Sequence, residues 1–104
     1  MLWNANGLRN HIDNLQVILD TKNIDICLIS ETHFTKESYI TLKNYQIYHT
    51  IHPKNCARGG SAVIIKKSIL HYEDDKIQSE EFQATSITLY TQTHQKLTIT
   101  SVYS

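Results

Sequence analysis

The chain has 104 residues, enough for at most one small domain. Its 40% hydrophobic and 19% charged residues are typical of a globular protein and exclude a disordered one. Ten basic and ten acidic residues cancel, which excludes a bulk attraction to nucleic acid, so any such contact needs a local patch.

The chain opens with the pattern of a strand, a helix and a second strand. Residues 1–4 predict a short buried strand, and apolar residues at helical spacing predict a helix from Leu8. We expect this helix to end at Lys22-Asn23, because asparagine tolerates the left-handed conformation found there. The continuous apolar run 25–30 predicts a strand covered on both faces. Together these elements predict a right-handed βαβ unit.

Two oxygen-bearing side chains, Asn4 and Glu31, follow at the ends of these two strands. Parallel neighbours lie about 5 Å apart, and ligands of βαβ units gather outside the carboxyl ends of the strands. An amide oxygen and a carboxylate at that separation suit a hard cation such as Mg²⁺. The alternative for Glu31 is a solvated strand end or a helix cap. Asn6-Gly7 by itself indicates a turn, with Asn6 a candidate helix cap.

The remainder of the chain has the alternation and turn signals of antiparallel strands. A hairpin is predicted near the end, with Ile87 and Leu89 facing Leu97 and Ile99 across its two strands. The predicted strands cover residues 45–50, 61–67, 68–72, 82–90 and 96–104.

The single predicted helix is too small a cover for about six strands. It leaves a sheet with an open edge and an uncovered apolar face, which both favour aggregation. The chain also stops inside a predicted strand at Ser104. We therefore expect residues 1–104 to form part of a larger domain.

Four segments carry a resemblance to a known family: Trp3–Leu8, Ile29–His33, Arg58–Val63 and Ile99–Ser104. Their order and spacing resemble those of the endonuclease/exonuclease/phosphatase superfamily. The sequence is most similar to the apurinic-endonuclease-like domain of jockey-like non-LTR retrotransposons. The joint match is fairly specific, whereas each segment alone carries little information.

The resemblance implies a fold and a set of site residues. The fold is an α/β four-layer α/β/β/α sandwich, of which this chain supplies the N-terminal half: the opening βαβ unit followed by mainly antiparallel strands. Glu31 matches a metal-coordinating glutamate, and Asn4 matches an asparagine close to the metal and the scissile phosphate. Asn6 is a further candidate metal ligand, at a position where repair-type members often carry aspartate. Tyr103 matches a tyrosine that helps to position the phosphate.

The resemblance also implies a Mg²⁺-dependent endonuclease that nicks target DNA in the nucleus and exposes a 3′ hydroxyl to prime reverse transcription. The second-half asparagine, Asp-x-Asn pair and Ser-Asp-His segment of the family are absent here, and His33 has no carboxylate partner at a recognisable spacing. We therefore expect this chain alone to bind metal weakly and to be inactive. The alternatives are a phosphatase of the same superfamily and a non-catalytic remnant or scaffold. No specific protein partner is indicated.

Other basic residues and the two cysteines also allow predictions. Arg58, Lys66 and Lys67 are candidates for contact with a DNA backbone, although a solvated strand edge is the favoured interpretation for the lysines. Cys27 lies in an apolar run and is expected to be an inert buried thiol. Two cysteines do not make a disulfide framework, which indicates a reducing, intracellular location. We expect neither a membrane span nor a signal peptide.

Overall fold

The computed structural model describes residues 1–104 and contains eight β-strands, one 3₁₀-helix and one α-helix. The 3₁₀-helix covers Leu8–His11, and the α-helix, α1, follows directly over Ile12–Thr21. The strands in chain order are β1 Leu2–Asn4, β2 Ile26–Ser30, β3 Tyr45–Thr50, β4 Ser61–Lys66, β5 His71–Glu73, β6 Ile77–Gln78, β7 Gln83–Tyr90 and β8 Lys96–Tyr103.

The strands form two four-stranded sheets. The first has the order β1-β2-β4-β3, with β1 and β2 parallel and the other pairs antiparallel. In the second, β8 pairs with one edge of β7 along its whole length, while β5 and β6 share the other edge. The predicted hairpin is confirmed, because Ile87 lies opposite Ile99 and Leu89 lies opposite Leu97.

The layers are helix, first sheet and second sheet. On β4 the side chains alternate between two cores: Ala62 and Ile64 join the core under α1, while Val63 and Ile65 join the core between the sheets. Leu15 and Leu19 of α1 are fully buried on the first of these cores. Each such leucine contributes roughly 1.5–3 kcal/mol through the area it removes from water. Burial of this kind, rather than capping, holds α1 in place, since no side chain caps its start.

Strand β2 is covered on both faces, as its apolar run predicted. Cys27 and Ile29 are buried under α1, and Ile26 and Leu28 pack against the core between the sheets. Burial raises the pKa of the Cys27 thiol to about 11, which agrees with the inert thiol expected from the sequence. The α-helix of this chain is too short and too polar to cross a lipid bilayer, and no other helix is longer.

Several boundaries predicted from the sequence were wrong. Strand β1 is an edge strand rather than a buried one, and Leu2 is 80% exposed because the second sheet does not reach it. The first helical turn is 3₁₀, and Asn6 does not cap it, since its N-cap is Gly7. The strand expected at 68–72 begins only at His71, because a turn closed by the Ile69 N–H on the Lys66 carbonyl precedes it.

His49 on β3 is a half-buried histidine with an unusual environment. Its ring packs edge-on against Phe34, with 5.1 Å between ring centroids. Its Nδ1 atom is buried and makes no hydrogen bond. Burial lowers the pKa of His49 below its ordinary value of 6.5, and the positive charge of Lys76 lowers it further. The imidazole is therefore neutral in the folded protein at neutral pH.

We predict that acid destabilises the fold through His49. Because its pKa is lower in the folded state, the unfolded chain binds the proton more readily, and stability is lost as the pH falls below about 6.5. His49→Gln should reduce the fall in Tm between about pH 7 and pH 5. The control is His94→Asn, at an exposed hairpin position with φ 62 that asparagine tolerates. Equal pH dependence in wild type and His49→Gln would contradict the prediction.

Candidate active site

Strands β1 and β2 bring the two predicted site residues to the same edge. They run in parallel with Asn4 opposite Ser30, so Glu31 is the next residue beyond that pair. The hydrogen-bond ladder continues past the strand ends: the Ala5 N–H donates to the Ser30 carbonyl at 2.9 Å, and the Gly7 N–H donates to the Glu31 carbonyl at 2.8 Å. The backbones that carry Asn4 and Glu31 are thus held side by side.

The loops that follow β1 and β2 are joined by a third loop, residues 59–60, which lies just before β4. This third loop accepts hydrogen bonds from the other side of residues 31–33. The Glu31 N–H donates to the Gly60 carbonyl at 2.9 Å, and the His33 N–H donates to the Gly59 carbonyl at 2.9 Å. Residues 5–7, 31–33 and 59–60 therefore form one unit, which we call the three-loop site.

The three-loop site concentrates residues in the left-handed backbone region. Glu31 and His33 both have φ 57, a conformation that costs a residue with a Cβ of order 1–3 kcal/mol. Strain of this size persists only where surrounding contacts over-determine it, and it clusters at functional sites. Of the ten residues with positive φ in the chain, six belong to this unit: Asn6, Gly7, Glu31, His33, Gly59 and Gly60.

A buried glutamine supports the third loop from the second sheet. The Gly60 N–H donates to Gln83 Oε1 at 2.8 Å, and Gln83 Nε2 donates to the Ser79 carbonyl at 2.7 Å. Gln83 is fully buried, and its bond to Gly60 is formed away from water, while its bond to Ser79 is partly exposed. The sequence signals Gln83 only as a polar residue at the start of a predicted strand.

Buried hydroxyl groups continue this polar contact between the sheets. Ser61 Oγ and Thr85 Oγ1 are 2.9 Å apart, and Thr85 Oγ1 donates to Thr50 Oγ1 at 2.8 Å. Ser101 Oγ on β8 donates to the Ile29 carbonyl at 2.8 Å. Every buried hydroxyl in this group has a partner, so the network fixes the second sheet against the end of the first that carries the three-loop site.

The four predicted site residues lie around this unit. Asn4 is exposed, and its Oδ1 accepts the Asn6 N–H at 3.2 Å, which leaves one lone pair free. Glu31 and Tyr103 are half-buried, and Asn6 is exposed. The Tyr103 ring covers Gly59 so closely that a Cβ built there would lie 3.1 Å from Cε2. The structure thus brings Asn4 and Glu31 together on one ladder, while Tyr103 packs on the third loop.

The donor set is small for a metal site. No three His, Cys, Asp or Glu side chains of the chain stand close enough together to hold an ion. The hard oxygen donors here are the Glu31 carboxylate and the Asn6 amide oxygen of the unit and, beside the unit, the free lone pair of Asn4. Mg²⁺ keeps several waters and commonly takes only one or two carboxylates from a protein, so these residues fit such an ion as a partial site.

The basic residues that are candidates for contact with a DNA backbone lie at two opposite ends of the first sheet. Lys66 lies at the opposite end of the first sheet, where its ammonium pairs with Asp25 at 3.0 Å and bonds Asn23. Arg58 is exposed beside the third loop, with Nη2 3.4 Å from His52 Nε2. Only Arg58 is thus placed near the candidate site.

The Endonuclease/Exonuclease/phosphatase family matches residues 1–97. The chain therefore belongs to the endonuclease/exonuclease/phosphatase family.

Its relatives include proteins of mobile elements, as the motifs predicted. The RNA-directed DNA polymerase from mobile element jockey of Drosophila melanogaster is 37% identical over 102 residues, which are 98% of this chain and 11% of that protein. The protein of the same name from Drosophila funebris is 36% identical over 90 residues, or 86% of this chain and 10% of that protein. The chain spans about a tenth of the length of these relatives.

A solved structure shares the fold. The AP endonuclease LMAP from Leishmania major superposes with a TM-score of 0.78 at 13% identity, over 98% of this chain and 38% of that chain. At this identity the likeness speaks for the fold alone, and it confirms the predicted α/β sandwich.

We predict that the third loop requires glycine at position 60. Its φ is +87, and a Cβ there would lie 2.4 Å from Thr32 Oγ1. Gly60→Ala should therefore lower the free energy of unfolding by at least about 2 kcal/mol, measured by urea denaturation.

The matched test is the double variant Gly60→Ala, Thr32→Ala. Removing Thr32 Oγ1 relieves the shortest contact and leaves the backbone strain, so part of the loss should be recovered relative to Gly60→Ala alone. A Gly60→Ala variant as stable as wild type, or purely additive effects, would show that the loops do not pack as described.

Proposed function

We propose that the three-loop site is the metal- and phosphate-binding part of an endonuclease that nicks target DNA by phosphodiester hydrolysis. The main observation behind this proposal is that Asn4 and Glu31 follow at the same ends of two neighbouring strands. The backbone at Glu31 is strained and hydrogen-bonded on both sides. Relatives named as RNA-directed DNA polymerases of mobile elements support the setting, in which a nick would supply the 3′ hydroxyl that primes reverse transcription.

Each predicted residue has a chemical role in this proposal. The Glu31 carboxylate and an Asn4 oxygen hold Mg²⁺, with Asn6 beside them as a further oxygen donor. When bound, Mg²⁺ would neutralise the negative charge that develops on the phosphate. The Asn4 amide N–H and the Tyr103 hydroxyl donate to phosphate oxygens and fix the orientation of the phosphate.

The chain does not supply a convincing general base. His33 follows Glu31 and Thr32 closely, but its side chain makes no hydrogen bond, and no carboxylate orients it. An imidazole without an orienting partner is a poor activator of water. We therefore propose that the 104 residues bind metal and phosphate weakly and hydrolyse DNA poorly by themselves.

The rival functions are weaker on specific grounds. A phosphatase of the same family would use the same acid and amide, but the mobile-element relatives favour a nucleic-acid substrate. A remnant without function has no need to maintain the left-handed backbone of Glu31 and His33, which costs stability.

The first test is calorimetric titration with Mg²⁺. We expect weak binding, with a Kd of about a millimolar or higher, because few protein ligands are present. Glu31→Gln should weaken binding at least about tenfold, equivalent to about 1.4 kcal/mol. Glu37→Gln, an exposed acid in the same connection, is the matched control and should change nothing. Equal affinities for the two variants would remove Glu31 from the metal site.

The second test is a supercoiled-plasmid nicking assay of the 104-residue chain with Mg²⁺. We expect no cutting above background, because no group in the chain is placed to activate water. Robust cutting that disappears in Glu31→Ala would show that the chain contains a complete active site and would overturn the predicted inactivity.

A further inference from the structure

A second polar depression lies beside the three-loop site. It has a volume of about 240 Å³ and opens along β3, at the end where Thr50 pairs with Ser61 and Ser61 pairs with Ser30. This is the same end of the first sheet that carries Glu31. We call it the lysine groove; its lining residues are Thr35, Lys36, Ser38, His49, Thr50, Ile51, Lys76 and Gln78.

The charge of the lysine groove is positive. Two lysines line it and no acidic side chain does. Lys36 makes no ion pair, and Lys76 approaches only Glu73, with 3.6 Å between Nζ and Oε2. Glu73 therefore offsets part of the Lys76 charge, and the Lys36 ammonium is the unpaired positive charge that attracts an anion into the groove.

The wall that carries Lys36 is held in place and presents hydroxyl groups. The Lys36 N–H donates to Asn55 Oδ1 at 2.7 Å. Ser38 Oγ accepts the Thr35 N–H at 2.9 Å, which leaves the serine hydroxyl hydrogen free to donate. Ammonium and hydroxyl donors together are the groups that bind phosphate oxygens.

His49 forms part of the wall of the lysine groove. It lines the groove, and its Nδ1 is the one buried side-chain nitrogen or oxygen of the chain without a hydrogen-bond partner. Buried polar atoms without partners are rare in folded proteins, and each calls for a bound group or solvent. Because Nδ1 has almost no exposed surface, the His49 ring forms part of the groove wall and does not donate to an anion in the groove.

We propose that the lysine groove binds a phosphate group of the DNA backbone, next to the phosphate held at the three-loop site. This assignment rests on the proposed function for its source of phosphate. The contacts are Lys36 and Lys76 as point charges and the Ser38 hydroxyl. These groups read no base edge, so the groove positions the strand without selecting its sequence.

The first arm of the test uses inorganic phosphate and the whole chain, with the His49 ring signals followed by NMR at constant ionic strength. Saturable shifts of those signals are expected with phosphate and not with chloride. The double variant Lys36→Gln, Lys76→Gln should weaken phosphate binding at least about tenfold. Lys43→Gln, an exposed lysine that lines no part of the groove, should leave it within about twofold. The absence of saturable shifts, or equal affinities of both variants, overturns the proposal.

The second arm uses a duplex oligonucleotide in the presence of EDTA, with binding measured by fluorescence anisotropy over a range of salt. The double variant should lose affinity and lower the slope of log affinity against log salt by about 1–2 relative to Lys43→Gln. If the groove binds inorganic phosphate but the double variant shows the same slope of log oligonucleotide affinity against log salt as Lys43→Gln, the assignment to DNA is overturned.

Glu31→Gln separates this proposal from the proposed function. It removes the metal ligand and leaves the lysine groove intact, so its phosphate shifts at His49 should equal those of wild type. Loss of metal binding with retained groove binding leaves this proposal standing. Normal metal binding without groove binding refutes this proposal alone.

Discussion

The structure depends on the parallel pairing of β1 with β2 and its extension into the loops beyond. Hydrogen bonds from Ala5 and Gly7 on one side, and into Gly60 on the other, fix Glu31 from both directions. This double attachment holds Glu31 at φ 57, where a free loop would relax, and keeps its backbone next to that of Asn4. The site is therefore a property of the backbone ladder rather than of contacts between side chains.

The two cores and the polar network between the sheets hold that ladder rigid. Alternating burial along β2 and β4 fixes their register, because a shift by one residue would turn every apolar side chain to the wrong core. Gln83 then ties the Gly60 loop to the second sheet, and the buried hydroxyls of Thr50, Ser61 and Thr85 fill the same end of the interface with satisfied hydrogen bonds. The backbone strain at Glu31 and His33 is thus offset by the packing of the two cores and by the hydrogen bonds between the sheets.

Much of the fold followed from local patterns. The βαβ unit and the β7–β8 hairpin were predictable, because the apolar run of β2 and the alternation of Ile87 and Leu89 each fit one structure only. The edge position of β1 was not, since exposure of Leu2 depends on how far the second sheet extends. The neighbouring ends of Asn4 and Glu31 followed from strand topology. Gln83, His49 and the lysines of the groove did not, because their roles arise from contacts between distant segments.

The most direct measurement of the central claim is paramagnetic broadening of amide NMR signals by substoichiometric Mn²⁺ bound in place of Mg²⁺. If one ion is shared across the ladder, the signals of residues 4–7 and 31–33 lose intensity together, and both groups recover in Glu31→Gln. Broadening confined to one of the two loops, or centred on acidic residues elsewhere, would contradict the account.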